Sequence, residues 1–381
     1  VMGRTSSDVD PFQAANQEAR LEFCILSHSI ASNAVGRAIA LSLVAEQVAE
    51  TTVWAVDDGQ PWPGIGQFSV NVKAIRRGEL PEWKLPQPGV KRIVWVSKGI
   101  SPLAKIVEKI READDTVIVV LDLDDDDAAL AADFRSTSIT NWLRLNPARR
   151  MYPGRIRSAQ HKIADVADLF TFSSNVLASR FPGHWVPTVR ITHARPIVAP
   201  VLPTPVPGLV RIGTFGTIRG HKGARRLSEL MEFSDTLELH TFKNSGVSLS
   251  AAASERHIEH EPGTPLSEVY SAVDVAYIPM STNSGADVQL PAKLIDAMAI
   301  GVPIVTSPTS AIVEVAGDSV HYASLTLGLA ETISILATAA ARHERNAHLR
   351  FLQVASSPVL AKDLMLAIHE IIFRDGAAAD V

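Results

Sequence analysis

The chain has 381 residues, 46% of them hydrophobic and 20% charged, which excludes a disordered or fibrous protein and exceeds one ordinary hydrophobic core; two folded domains are expected. A formal net charge of -5 gives no general attraction to nucleic acid or to an anionic membrane, local basic patches excepted, so nucleic acid is not an expected partner. Cys24 is the single cysteine and lies in the apolar run Leu21 to Leu26, which excludes an internal disulfide and suggests a reducing, cytoplasmic setting.

Val1 to Arg20 is polar and mixed, with neither the order of a signal peptide nor, anywhere in the chain, an apolar stretch of the ~18 residues a membrane span needs. Residues 1–20 are expected to be a loose tail. The first strand candidate is Leu21 to Leu26, followed by a glycine-containing loop and a helix around Arg37 to Ala49. Thr52 to Val56, Arg92 to Val96, Thr116 to Leu121 and Leu169 to Phe172 follow as short β-rich runs with amphipathic segments between them. That alternation is the pattern of a parallel sheet covered on both faces, here over residues 21–200. Pro196, Pro200, Pro203, Pro205 and Pro207 mark an extended connector, with the linker placed at 201–208. The pattern restarts over 209–350 with Leu209 to Phe215, Leu237 to Thr241, Val275 to Ile278 and Pro303 to Thr306. The fold class expected is α/β, two doubly wound parallel-sheet domains facing each other across a cleft. Leu349 to Phe373 is apolar at helical spacing but interrupted by Ser356, Ser357 and Pro358. Residues 351–381 therefore read as C-terminal helices, placed to pack back on the first domain.

Three segments carry side chains suited to chemistry. Asp274 to Ser307 reads as strand, polar glycine-containing loop, helix, glycine turn and strand. A loop leaving the carboxyl end of a parallel strand for a helix N-terminus presents backbone N–H groups to an anion. Lys293 would add positive charge there, and Asp296 would accept from sugar hydroxyls; both also fit an ordinary polar helix face. In Arg211 to Leu227 a strand enters a loop with Gly216, Gly220 and Gly223 among Arg219, His221 and Lys222, a composition suited to a pyrophosphate or to a solvated surface. Thr116 to Leu130 ends a strand in Asp122 and Asp124 to Asp127. Such carboxylates would serve an acceptor hydroxyl, ligate Mg or Mn, or cap the helix that starts near Ala128. His161, His184, His193 and His240 lack metal-ligand spacing, and the chain has neither a Gly-x-Ser-x-Gly nor a Walker loop.

Taken together, Arg211 to Asp318 resembles the retaining glycosyltransferases of the two-Rossmann-domain type (GT-B), in particular family 4. Lys222 and Gly223 stand where that family has a Lys-Gly pair, which implies that Lys222 binds the donor diphosphate. Asp296, Ala297, Met298, Ala299, Gly301 and Pro303 match the later signature, which implies that Asp296 holds the nucleotide ribose. Thr217 follows Gly216 where the family commonly has arginine, leaving Arg219 to reach the phosphates from two residues further on. The first of the family's two glutamates falls at Val288, with Asp287 beside it. Backbone amides of Ser284, Gly285 and Ala286, and the Gln289 side chain, are then expected at the donor. In the first domain, Ser27 to Ala40 stands at the family's glycine-rich loop, with Gly36 the matching residue, Arg37 an available cation, and His28 at the strand end. The histidine that the family has after the strand Thr116 to Leu121 is replaced here by Asp122 or Asp124, the expected partner of the acceptor hydroxyl.

The resemblance implies a UDP- or GDP-sugar as co-substrate, no cofactor, no metal, and retention of anomeric configuration. The acceptor expected is a glycan, a lipid-linked sugar or a small metabolite. A nucleotide-sugar epimerase, a phosphorylase, or a nucleotide-sugar binding module without chemistry would use the same scaffold.

Overall fold

A computed structural model describes residues 20–82, 89–182, 186–201, 203–218, 222–342 and 345–379, without the side chains of 284 and 374–379. Residues 1–19, expected above as a tail, and His184, Arg219 and His221 lie outside the described residues.

Two parallel sheets form. The first contains β1 (Arg20–Ser27), β2 (Glu50–Val56), β3 (Val72–Ile75), β4 (Val90–Ser97), β5 (Ile118–Leu123), β6 (Leu169–Phe172) and β7 (Thr188–Arg190), in the order β3-β2-β1-β4-β5-β6-β7. The second contains β8 (Val210–Gly213), β9 (Leu237–Phe242), β10 (His257–His260), β11 (Val275–Ile278), β12 (Ile304–Thr306) and β13 (His321–Tyr322), in the order β10-β9-β8-β11-β12-β13. Every pairing is parallel, so helices return the chain over the faces, and the central strands are buried on both sides. The order reverses between β1 and β4 and again between β8 and β11. Crevices at such switch points, beyond the carboxyl ends of the strands, are where α/β folds bind ligands.

The edge strands β3, β7, β10 and β13 were not marked by the hydrophobic pattern. They are two to four residues long and mostly exposed or half-buried, so they carry no apolar run. Near the C-terminus, Asn346–Val354 and Ser357–Ala379 are separate helices, with Pro358 in the first turn of the second, where a missing N–H costs nothing. The second helix crosses to the first sheet. Leu360, Leu364, Ile368 and Ile371, at helical spacing, are buried with Leu21, Phe23, Val35 and Ile39. Each such side chain taken out of water contributes about 1.5–3 kcal/mol, which makes this helix part of the first core although the chain has by then traversed the second. Among the described residues no helix is long and apolar enough to cross a membrane.

Candidate active site

In the second domain two glycines shape the loop after β8. Gly216 and Gly223 have φ of 104° and 70°, and a Cβ on Gly223 would come within 2.5 Å of Pro279. Only glycine lets this backbone lie against the loop that follows β11. Lys222 therefore leads directly into the helix Ala224–Phe233. Lys293 rises beside it from the first turn of the helix Ala292–Ile300, its Cε 3.9 Å from where a Gly216 Cβ would stand. This helix begins after Pro291 without a side-chain cap, which leaves early N–H groups for an anion. Burial, and then the positive charge of Lys222, push the Lys293 ammonium down to about 7, with Asp296 opposing them. Two like charges held together in this way form a site electrostatically suited to an anion.

In the first domain the opposite charge lies past the end of β5, the strand next to the β1–β4 switch point. Lys98, one residue past β4, has φ of 68° in the left-handed region that non-glycine residues avoid. Its N–H donates to the Asp122 carbonyl, and its own carbonyl accepts from Gln160 Nε2 at 3.1 Å. The backbone is thus pinned and the ammonium is set among Asp124 at 2.6 Å, Asp125 at 2.9 Å and Asp127 at 3.4 Å. One cation cannot neutralise three carboxylates. Burial, with the neighbouring carboxylates, pushes Asp124 up to about 6 and Asp127 to about 7, against Lys98. Burial opposes ionisation of Asp125 too, but Lys98, then Lys222 and Gln289, bring it down to about 2. Asp124 and Asp127 therefore give up their protons less readily than ordinary carboxyl groups.

The two halves meet across this charge. Gln289 Nε2 donates to Asp125 Oδ1 at 3.0 Å, while its buried Oε1 has no partner. His193 Nε2 contacts the Leu290 carbonyl at 3.1 Å, and burial, helped by Arg37 and Arg195, holds its imidazole well below the usual range. His28, at the end of β1, is pushed down to about 3 by burial, then Lys98 and Arg150, and its buried Nδ1 is unpartnered. It is a neutral ring beside the cluster.

Several expected site residues are engaged elsewhere. Asp122 is fully buried: Arg37 Nε reaches Oδ2 at 2.9 Å, Arg37 Nη2 reaches Oδ1 at 2.6 Å, and the Thr171 hydroxyl also donates to Oδ1 at 2.8 Å. Both oxygens being occupied by internal donors, Asp122 is a structural counter-ion and not the group that meets an acceptor. Arg37 is equally withdrawn from any phosphate, and Gly36 lies 3.4 Å, measured from an added Cβ, under the Trp62 ring. Asp287 accepts from the Ser310 N–H at 3.0 Å and the Ser310 hydroxyl at 2.7 Å, holding the first turn of the helix Ser310–Ala316 in place of a sugar. In the short helix Ser284–Asp287 the Ala286 N–H is taken by Asn283, and Gly285 packs on the first domain, 3.0 Å from Leu130 and 3.1 Å from Asp133 as seen by an added Cβ. Asp296 holds Arg195 Nε at 2.6 Å, and the Arg195 guanidinium lies 5.2 Å from the centre of the Phe68 ring. Thr217 is exposed at the loop tip.

The structure thus brings Lys222, Lys293, Gln289, Asp124 and His28 to the region between the switch points, and adds Lys98, His193 and Arg195. Lys98 had a signal: it directly follows the buried strand β4. Asp126, and not the whole aspartate run, caps the helix Asp127–Ser136, accepting from the Ala129 N–H at 2.9 Å. Among the described residues no cluster of three or more His, Cys, Asp or Glu side chains is arranged to hold a metal ion.

No protein-family model matches the chain, and no curated protein matches it in sequence. Solved structures match its backbone. HepE of Anabaena in complex with UDP-glucose has a TM-score of 0.63 at 12% identity, over 92% of this chain and 99% of that one. A glycosyltransferase of Rickettsia africae has a TM-score of 0.57 at 10% identity, over 93% and 99%. The lipopolysaccharide outer core galactosyltransferase WaaB has 0.53 at 10%, over 92% and 99%. The chain has the GT-B fold. In this GT-B scaffold the two switch points face each other, with lysines on the second-domain side and the Lys98 carboxylate cluster on the first.

Proposed function

We propose that the protein transfers a sugar from a nucleotide-diphosphate sugar to an acceptor hydroxyl. The observation that carries this reading is the Lys222–Lys293 pair, Lys222 beside Gly223 and Lys293 in the first turn of the helix Ala292–Ile300 with its Cε 3.9 Å from where a Gly216 Cβ would stand, where burial and like charge bring the Lys293 ammonium down to about 7. A diphosphate between them would be attracted by both ammonium groups and by the helix N-terminus. HepE, of like fold, was solved with UDP-glucose and with UDP, which supports a UDP-sugar ahead of a GDP-sugar. Kinship with family 4 and retention of configuration belong to the same proposal and rest on the sequence resemblance, and a cytoplasmic location belongs to it on the ground of the single cysteine.

As the glycosidic bond breaks, negative charge grows on the leaving diphosphate. The two ammonium groups and the uncapped N-terminus of the helix Ala292–Ile300 are placed to stabilise it, so that no metal ion is invoked. The acceptor proton must go to a base that is ionised near neutral pH. Asp124, pushed up to about 6, suits that task, with Lys98 restoring the charge balance of the cluster. His28 and Gln289 each offer a buried, unpartnered acceptor atom beside the cluster for donor or acceptor hydroxyls. In this reading Asp296, while holding Arg195, takes the ribose with its remaining hydrogen-bonding capacity.

Melting temperatures in the presence of UDP, GDP, ADP and their sugars test the proposal, because a ligand of the native state raises the melting point. At least one uridine or guanosine compound raises it in the wild type. Lys222→Ala abolishes that rise while leaving the unliganded melting point unchanged. No shift with any nucleotide, or an undiminished shift in Lys222→Ala, refutes the reading. Formation of free nucleotide diphosphate with a glycosylated acceptor then separates transfer from epimerisation and phosphorolysis.

A further inference from the structure

The net negative chain contains stretches of opposite character, and one of them carries exposed apolar side chains. From Phe134 to Ala164 there are six arginines and Lys162 but no aspartate or glutamate. Arg144, Arg149, Arg155, Arg157 and Lys162 are exposed. The same stretch contains the helix Ile139–Arg144, which has no buried residue. Ile139, Trp142 and Leu143, at i, i+3 and i+4, share one face and are 80%, 52% and 58% exposed, with Phe134 nearby at 47%. Ser138 caps this helix through the Asn141 N–H, and the Arg135 guanidinium lies 5.0 Å from the centre of the Trp142 ring. Arg135, Ser138, Ile139 and Trp142 line a shallow, open depression. The helix is therefore built and fixed in place with its apolar face turned to solvent. Isolated exposed apolar residues need no explanation, but an apolar helix face with Arg135 against its Trp142 ring and Arg144 on the same helix, inside a basic stretch, does.

We propose that this face docks the protein on an anionic lipid bilayer. Arginines pair with lipid phosphates while Trp142, Ile139 and Leu143 enter the boundary between headgroups and acyl chains, the combination that holds amphipathic segments at membrane surfaces. A single-stranded nucleic acid would use the arginines and the Trp142 ring, but the aliphatic Ile139 and Leu143 offer its bases nothing to stack on. The helix Asp127–Ser136 begins in the Lys98 carboxylate cluster and ends at the patch, a span of roughly 15 Å for its length. Docking would thus bring the cleft close to the headgroup layer. This last consequence rests on the transferase reading and favours a lipid-linked acceptor; the membrane contact itself does not depend on it.

The test is co-sedimentation of the whole chain with vesicles of phosphatidylcholine alone or with about a third phosphatidylglycerol, in low and in physiological salt. Binding occurs to the anionic vesicles only and weakens with salt. R144Q/R149Q/R157Q lowers affinity roughly a hundredfold, at about fivefold for each basic residue. I139S/W142S/L143S abolishes binding that survives in physiological salt. Both variants keep the wild-type melting point, since none of the six side chains is buried. Absence of binding to anionic vesicles, or equal binding by wild type and both variants, overturns the proposal. Retention of single-stranded RNA without vesicle binding overturns it in favour of a nucleic-acid surface. Vesicle binding with no nucleotide-dependent melting shift would leave the membrane face standing and remove the transferase reading.

Discussion

Replacing Arg37 by methionine removes four hydrogen bonds at once: two to Asp122, one to the Thr192 carbonyl at 2.8 Å and one to the Ile191 carbonyl at 2.7 Å. These bonds tie the helix Ala34–Ala45 to β5 and to the segment that leaves β7. With 1% and 0% of the two side chains exposed, water cannot substitute for the lost partner. Removing one member of such a pair costs about 3–5 kcal/mol, out of a total stability of roughly 5–15 kcal/mol. For a domain of this size that is a fall of roughly 6–20 °C in melting temperature. Calorimetry of Arg37→Met and Asp122→Asn measures it. The double variant R37M/D122L leaves no buried charge uncompensated and should lose less than Arg37→Met alone, a coupling that a double-mutant cycle reads directly. Were Asp122→Asn to melt as the wild type does while turnover fell a hundredfold, the structural assignment would be wrong and Asp122 would belong among the catalytic residues.

Lys293, held down to about 7 against an ordinary 10.5, gives a pH signature. Between these values the unfolded chain carries a proton that the folded chain lacks, so unliganded stability should rise with pH from about 7 to about 10. Lys293→Met should flatten that rise in denaturant titrations. Binding of UDP restores the ammonium, so calorimetry near pH 8 in buffers of different ionisation heat should register proton uptake; its absence removes Lys293 from the phosphate site. Asp287→Ala should cost about 1 kcal/mol through the lost cap at Ser310 with donor affinity unchanged, and the reverse result would return Asp287 to the sugar. Gly285→Val would thrust a side chain at Leu130 and Asp133 and should part the domains, seen as a larger radius of gyration in solution scattering.

Elements buried on both faces were legible in the amino-acid order. β1, β4, β5, β6 and β11 announce themselves as apolar runs because a covered parallel sheet exposes neither side. The loop after β8 was legible for a different reason: Gly216 and Gly223 sit where positive φ or close approach excludes a Cβ. Such signals are local, carried by neighbouring residues and their periodicity.

Charge pairing leaves no such local trace. The partner of Asp122 is 85 residues away at Arg37, that of Asp296 is 101 residues away at Arg195, and Asp287 serves a helix 23 residues on. An aspartate at a strand end looks the same in sequence whether it faces a cleft or a buried guanidinium. The order of residues by itself determined two doubly wound sheets and the loops that meet between them. Tertiary structure alone decided which charges are spent on one another and which remain near the gap, because electrostatic energy depends on distance through space and on burial, and neither is a property of neighbours along the chain.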